Sequence, residues 1–435
     1  MLIEFSVANF RSIRDRVTLS LEAEPRISER DKTVDERNVA HTPDGDLLRV
    51  VGIYGANAGG KSNLVTALAT FRDLVLNSAR EGQSGDSLPA APFRLDAESL
   101  TAPSEFEVVF TQDHSQVRYG VAFTAKRVER EWLFVRPAGA DEELRWFERT
   151  HDTFETGGAW LRDPGIEKKT RPEALHISVA AAWNHSLAIR IFRWFQTTIR
   201  VVNNAKDDPD LTMRLLSNET LGEEVRGLIR RLDFGIDDLQ LESDPNHVSL
   251  KSLFDLFPTT PIPNALVAKL LDARLPLRIL AIRQGVPFSL SADESAGTNK
   301  AVALAGPIVL TLAHGGLLVI DEFDARLHTL LAKQLVELFQ DPLTNPHDAQ
   351  LVFTSHDTNL LTRTLLRRDQ LWFVEKSHKT HATDLYSLAE IRLDDGKGVR
   401  NDARYETDYL QGRYGAIPFF GNLKAILGDA LSDKD

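Results

Sequence analysis

The residues Gly55-Ala56-Asn57-Ala58-Gly59-Gly60-Lys61-Ser62 are spaced as G-x-x-x-x-G-K-[ST], a pattern suited to cradling a polyphosphate. Glycines let backbone N–H groups curl around phosphate oxygens. A helix beginning at the end of the loop adds a partial positive charge. In such a loop Lys61 reaches the β- and γ-phosphates of ATP, and the Ser62 hydroxyl is a ligand for Mg2+. Gly55, Asn57, Gly59, Gly60 and Asn63 complete the candidate nucleotide-binding stretch.

Further along, the apolar run Gly316-Leu317-Leu318-Val319-Ile320 leads into Asp321 and Glu322. Asp321 is placed to hold Mg2+ through its water shell, and Glu322 to polarise an attacking water. Alone, an apolar run before Asp-Glu is commonplace. With the glycine loop upstream it becomes the second half of a nucleotide site. Ser62 and Asp321 are 259 residues apart (321 − 62), so a large insertion must fold out between them. Gln350-Leu351-Val352-Phe353-Thr354 forms another apolar run and ends in Ser355-His356-Asp357. The stretch Leu290-Ser291-Ala292-Asp293-Glu294-Ser295-Ala296-Gly297-Thr298 precedes an apolar helical segment, and a Ser-x-Gly there reads first as a helix N-cap.

The positioning elements follow from periodicity. LLRVVGIY (47–54) predicts a strand buried on both faces. After the glycines, Leu64, Ala67, Leu68, Phe71, Leu74 and Val75 recur at helical spacing, giving strand, glycine loop, helix. Residues 24–46 and 80–104 read as polar loops. FEVVF (106–110), VRYGVAF (117–123), REWLFV (130–135) and LRWFER (144–149) predict an antiparallel meander. Residues 170–285 read as mainly helical, with PNHVSLKSLFDLFPTTPIPN irregular. AVALAGPIVLTLA predicts a helix, and GLLVID and QLVFTS predict buried strands with the helix LHTLLAKQLVELFQ between them. The expected fold class is α/β, divided into an N-terminal ATPase lobe with the phosphate loop and β meander (1–165), a mainly helical insertion (166–285) and a C-terminal ATPase lobe (286–435).

Composition bounds the partners. The 435-residue chain has a net charge of −12, which argues against non-specific coating of DNA, since that needs clustered Lys and Arg. There are no cysteines, which removes disulfides and thiolate metal sites and favours a cytoplasmic address. No window reaches the ~18 consecutive apolar residues of a membrane span, and MLIEFSVANFRSIRD lacks the form of a signal peptide. No membrane partner is expected.

Taken together, the glycine loop, the Ser295/Gly297 stretch, the Asp321-Glu322 strand and His356 stand in the order of an ABC-type ATPase. The chain resembles the RecF, SMC and OLD group, and more closely the bacterial AAA-type ATPases of its OLD-like branch. The matching pieces are NFRSIRD (9–15), GANAGGKSNL, EWLF (131–134), DESAGT, LLVIDEFDARLH, TSHD and GRYGAIPF (412–419), which span nearly the whole chain. The resemblance implies an ABC-type P-loop ATPase head with an antiparallel β subdomain and a helical insertion lobe. It also implies ATP and Mg2+ as ligands, His356 as the switch histidine at the γ-phosphate, and an ATP-sandwich homodimer, with higher assemblies left open. In that dimer Ser295, Gly297 and Thr298 would act on ATP held by Lys61 of the other copy. Asp324 would lie in the loop crossing the interface, and Arg11 and Phe10 on the adenine side. No Q-loop glutamine is evident, Gln112 and Gln116 reading as hairpin residues.

Many members of this branch are ATPase subunits of anti-phage systems of the Septu, PARIS and retron types, encoded beside an effector nuclease or toxin. The resemblance therefore implies an ATPase that serves as sensor and scaffold for a separate effector, with DNA or a phage component as a further candidate partner. The competing reading is a RecF/SMC-like ATPase acting on DNA in repair. A fused nuclease of the OLD kind is not expected: Asp394-Asp395 lacks the metal-binding pattern, and His378 and His381 have no nearby carboxylate pair in sequence.

Overall fold

The structure is a computed structural model and describes residues 1–25, 32–43, 45–79, 87–160, 163–203, 208–243, 277–392, 398–399 and 403–418. The irregular stretch expected at 245–264, and Asp394-Asp395, lie outside the described residues.

β1 (Leu2–Ala8) and β2 (Val17–Ser20) flank a tight turn. In it Asn9 and Arg11 hold φ values of 48° and 54°, a region that Asn tolerates better than most residues. Asn9 Nδ2 donates to the Ser99 and Ala102 carbonyls at 2.8 and 2.9 Å, and its Oδ1 accepts from Phe93 N–H at 2.9 Å. The turn thereby fixes a distant surface segment. Part of 24–46 is not loop. It holds the helix Lys32–Asn38 and a hairpin of β3 (Val39–Thr42) and β4 (Gly45–Leu48). The single strand expected over 47–54 is broken at Arg49, where β4 ends and β5 (Val50–Tyr54) begins. A guanidinium cannot sit in a strand buried on both faces. Arg49 turns aside to Asp348 at 2.7 Å and to the Arg37 carbonyl at 3.1 Å.

The helix Lys61–Asn77 follows the glycine loop. Then come β6 (Ser104–Gln112), β7 (Ser115–Phe123), β8 (Val128–Arg136), β9 (Leu144–Thr150) and β10 (Thr153–Thr156), which build the meander. Its sheet order is β10-β9-β8-β7-β6-β1-β2. The fully buried Glu131 of β8 ties this sheet to the helix His176–Ala182. It accepts from the His176 and Ile177 amides at 2.6 and 2.9 Å and faces the equally buried Arg149 at 3.7 Å. Burial raises the pKa of Glu131, opposed chiefly by Arg149.

Among its described residues, the span 166–285 is less helical than its composition suggests. After the helix Ser186–Thr197, β11 (Ile199–Val202) joins the central sheet. The helices Asp210–Leu216 and Glu219–Arg231 pack on an antiparallel sheet of β12 (Asp238–Ser243), β13 (Leu277–Arg283) and β14 (Val286–Ser289). Leu239 and Ile279 point inward here and are buried, so alternation rather than helical spacing governs these runs. Among the described residues the insertion mixes helices with an antiparallel sheet.

The helix Ala296–His314 is long and apolar enough to cross a membrane, yet most of it lies buried in the chain. Pro307 interrupts its hydrogen-bond ladder, and the Thr212 hydroxyl enters the gap. It accepts from Gly306 N–H at 3.0 Å and donates to the Val302 carbonyl at 2.8 Å. A Cβ on Gly306 would sit 2.7 Å from Thr212 Cα, so only glycine permits this approach.

β15 (Leu317–Ile320), the helix Thr329–Gln340, β16 (Gln350–Thr354), β17 (Leu371–Lys376) and β18 (Thr383–Ser387) complete the central sheet, ordered β11-β15-β16-β5-β17-β18 and parallel except for β18. The helix Lys61–Asn77 is sandwiched between the two large sheets, Phe71 meeting Phe106, Tyr119 and Phe195. The other face of the central sheet is covered by the helices Ala296–His314 and Thr329–Gln340 and by Tyr405, Tyr409 and Tyr414. The fold is α/β: a largely parallel sheet that carries the glycine loop and the Asp321-Glu322 strand, joined to an antiparallel β lobe and bearing the mixed insertion.

Candidate nucleotide-binding site

The phosphate loop owes its shape to glycines that nothing else could replace. Gly55 has φ 153° and Gly60 φ 124°. A Cβ on Gly55 would lie 2.2 Å from the Val374 carbonyl oxygen, and one on Gly60 would lie 2.4 Å from Thr383 Oγ1. Asn57 and Ala58 are exposed at the loop's tip, and Ser62 is exposed on the first turn of the helix. Lys61 is buried, and its ammonium donates to the Gly55 and Ala56 carbonyls at 2.7 and 3.2 Å. Burial lowers its pKa from 10.5 to about 8, while Asp321, Asp324 and Glu322 pull it back up.

Those carboxylates arrive from β15, two strands from β5 with β16 between, or about 10 Å at ordinary strand spacing. Asp321 is buried and accepts from Thr354 Oγ1 at 2.7 Å. Glu322 has φ 48°, a left-handed backbone of the kind that clusters at functional sites, and its amide donates to Thr354 Oγ1 at 2.7 Å. His356 follows β16, and its amide donates to the Asp324 carboxylate at 3.2 Å. Partial burial and then Lys61 lower the His356 pKa below 6.5, so the ring is neutral at neutral pH. The structure thus brings Lys61, Asp321, Glu322, Asp324 and His356 to the C-terminal ends of three adjacent strands, β15, β16 and β5.

Ser295 and Gly297 open the helix Ala296–His314 elsewhere on the chain. Ser295 Oγ caps it, accepting from Thr298 N–H at 3.1 Å. A Cβ on Gly297 would meet the Arg326 carbonyl at 2.7 Å. Thr298 is buried and bonded to Ser295 at 2.9 Å, so it supports the loop from beneath rather than facing a ligand. Phe10 likewise departs from the expectation of an adenine contact. It is buried and packs edge-on against Phe106 at 5.2 Å. Arg11 remains exposed, with Nη1 3.4 Å from Asn63 Oδ1. Gln112 and Gln116 sit in the β6–β7 hairpin, and Gln112 Nε2 donates to the Arg190 carbonyl at 3.2 Å.

Three residues escaped the sequence reading. Thr354 joins the Asp321 carboxylate to the Glu322 amide, just after β15. Ser12 and Thr383 form a strap across the loop: Asn63 Nδ2 donates to Ser12 Oγ at 2.7 Å, Ser12 and Thr383 share a hydroxyl hydrogen bond of 2.7 Å, and Thr383 Oγ1 donates to the Gly59 carbonyl at 2.8 Å. The polar TSHD and NFRS segments were the available signals.

Residues 50–362 match the family model described as "AAA domain, putative AbiEii toxin, Type IV TA system". No curated protein matches the sequence. Among solved structures the chain is similar to an SMC head bound to the C-winged helix domain of ScpA, at TM-score 0.45 and 14% identity over 89% of this chain and 97% of that one. It is also similar to the SMC head domain from Thermotoga maritima, at TM-score 0.39 and 14% identity over 89% and 98%. A Smc head domain with an extended coiled coil, bound to the C-terminal domain of ScpA derived from Pyrococcus furiosus, gives TM-score 0.40 and 10% identity over 89% and 96%. The phosphate loop, the Asp321-Glu322 strand and His356 all fall inside the span matched by the family model, and the chain belongs to that AAA domain family.

Proposed function

We infer that this chain is a Mg2+-dependent ATPase that works as a homodimer and controls a separate effector, a nuclease or toxin, in cytoplasmic anti-phage defence. One observation carries the catalytic part. Lys61, Asp321, Glu322, Asp324 and His356 converge at the ends of three adjacent parallel strands, near enough for the carboxylates to raise the Lys61 pKa and for Lys61 to lower that of His356.

The glycine cradle fits a phosphate, and Ser62 with Asp321 offers the hard oxygen donors that Mg2+ takes. The bound ion would screen charge on the β- and γ-phosphates. In this reading Lys61 neutralises phosphate charge, Glu322 takes a proton from the attacking water, and neutral His356 hydrogen-bonds the terminal phosphate. Ser295 and Gly297, exposed or half-exposed at a helix start, complete the site of a second copy. They meet the γ-phosphate only in the closed dimer, so ATP favours closure. The defence role is supported by the motif resemblance and by the family description, which names a toxin of a Type IV TA system.

The test is ATP turnover and particle size, with and without ATP, for the wild type, Glu322→Gln and Ser295→Arg, recording any protein that co-purifies. The expected result for Glu322→Gln is a loss of about 100-fold or more in turnover, with an ATP-held dimer accumulating. Unchanged turnover would remove Glu322 as the base. ATP-dependent dimerisation that survives Ser295→Arg would remove the trans contact. Turnover that rises only with DNA, with no partner protein, would favour the repair reading.

A further inference from the structure

The stretch GRYGAIPF (412–419) plays no part in the nucleotide chemistry derived above. Yet its described residues, with the short helix Tyr405–Leu410 before them, pack on the elements that carry that chemistry. Phe373 of β17 stacks on Tyr409 with ring centres 5.3 Å apart. The next residue of β17 is Val374, whose carbonyl abuts Gly55 of the phosphate loop. The Tyr386 hydroxyl of β18 donates to the Tyr414 carbonyl at 2.8 Å, and the Tyr409 hydroxyl to the Ala416 carbonyl at 3.1 Å. Gly415 has φ 69°, and a Cβ there would lie 2.6 Å from the Tyr386 hydroxyl oxygen, so glycine lets the chain pass this close. Ala416, Ile417 and Pro418 come to rest beside residues 56–59, where they line a cavity of about 540 Å3.

The same segment also reaches the loop after β16. His356 stands two residues beyond that strand, and its loop is fastened on two sides. Toward β15, the His356 amide donates to Asp324 at 3.2 Å, and the Asp357 carboxylate accepts from the Thr329 hydroxyl at 2.5 Å. Toward the C-terminal segment, the Thr358 hydroxyl donates to the Glu406 carboxylate at 3.0 Å. The first two bonds tie the histidine to the loop that carries Asp321 and Glu322. The third ties it to a separate body, the one seated against β17 and the phosphate loop. An ionised acceptor makes that third bond stronger than a neutral pair would. A reacting group misplaced by about 1 Å can lose about 100-fold in rate, so a bond that holds the loop of His356 carries kinetic weight.

We propose that Glu406 is a positioning residue for hydrolysis: through Thr358 it fixes the loop of His356, and the segment 405–418 is the brace that ties this loop to the rim of the phosphate loop. The inference rests on the reading that His356 hydrogen-bonds the terminal phosphate. It gives the tyrosine- and glycine-rich C-terminal stretch a task in turnover rather than in binding.

The experiment is steady-state ATP turnover of the full chain as wild type, Glu406→Ala, Glu406→Gln and Thr358→Val, with Glu406→Ala repeated in a His356→Ala background. Glu406→Ala is expected to lower kcat roughly tenfold and to leave KM for ATP within about twofold, since Lys61 and the glycine loop are untouched. Glu406→Gln keeps an oxygen acceptor for Thr358 and should stay within about twofold of the wild type. Thr358→Val breaks the same bond from its other end and should reproduce the loss in kcat, even where Glu406→Ala folds poorly. Without His356 the alanine change should cost less than about twofold. Unchanged kcat in Glu406→Ala and Thr358→Val would overturn the proposal, as would a rise in KM in place of the fall in kcat. A full tenfold loss that persists without His356 would show that Glu406 acts elsewhere and would overturn it too. A wild type with no ATP turnover would bring down the ATPase reading, and the brace with it. Normal turnover in His356→Ala would leave that reading standing and remove the histidine's role together with the brace.

Discussion

The Thr354 hydroxyl donates to the Asp321 carboxylate at 2.7 Å while accepting the Glu322 amide proton at the same distance. One side chain on β16 thus sets both the carboxylate assigned to Mg2+ and the backbone carrying the assigned base.

Thr354→Val keeps the shape and removes both bonds, leaving a partly buried amide and a buried carboxylate oxygen without this partner. The expected cost is about 1–3 kcal/mol of stability, with turnover down about tenfold and more Mg2+ needed for half-maximal rate. A Mg2+ titration of turnover checks this, and an unchanged midpoint at full rate would reduce Thr354 to a structural role.

Lys61 makes ATP affinity depend on pH. Its pKa before binding is about 8, held down by burial, and anionic phosphates must raise it. Below about pH 8 the lysine is protonated in both states and affinity is flat. Above that, up to the higher bound value, binding takes up a proton and affinity falls with rising pH by at most about tenfold per unit. Calorimetry in buffers of different ionisation heat should show proton uptake near about pH 9 and almost none from this group near about pH 7.

Gly55→Ala meets both a disfavoured φ and a backbone oxygen 2.2 Å from the new Cβ. A loss of about 1–3 kcal/mol or more is expected, together with weakened ATP binding. Gly139→Ala is the control, because Gly139 is also left-handed, at φ 72°, but has nothing within 4 Å of its Cβ position. Its melting temperature should drop far less.

Glu131→Ala leaves Arg149 buried without its carboxylate and strips two amides at the start of the helix His176–Ala182 of their acceptor. Removing one partner of a buried pair costs about 3–5 kcal/mol. Urea unfolding measures it, and a loss below about 1 kcal/mol would show that the pair contributes little.

Sequence made some of this legible for a physical reason. The phosphate loop and the Asp321-Glu322 strand are contiguous, so spacing alone reveals them, and the four runs of the meander alternate strongly. The strap from Asn63 through Ser12 to Thr383 joins residues 371 positions apart, and isolated hydroxyls carry no pattern. β13 and β14 did leave a trace. Gln284 and Gly285, with φ of 50° and 78°, form the two-residue left-handed turn that favours a hairpin, and Ile279 and Ala281 alternate inward. The surrounding Leu- and Ala-rich composition masked it. Phe10 departs from the expected adenine contact because neighbouring residues of a turn face opposite ways, and the apolar one takes the core.

The Thr212 hydroxyl lodged at Gly306 gives the insertion lobe a grip on the helix that begins beside Ser295. From Gly306 to that end the helix runs about 16 Å at 1.5 Å per residue, so a bend of about ten degrees at the grip would move Ser295 by about 3 Å. That is the length of a hydrogen bond. Spin-label distances between the lobe and Ser291, with and without nucleotide, would reveal such a swing, and fixed distances would refute it. If the chain is the ATPase proposed above, such a swing would make the lobe a tiller, passing a push from outside to Ser295 without entering the nucleotide site.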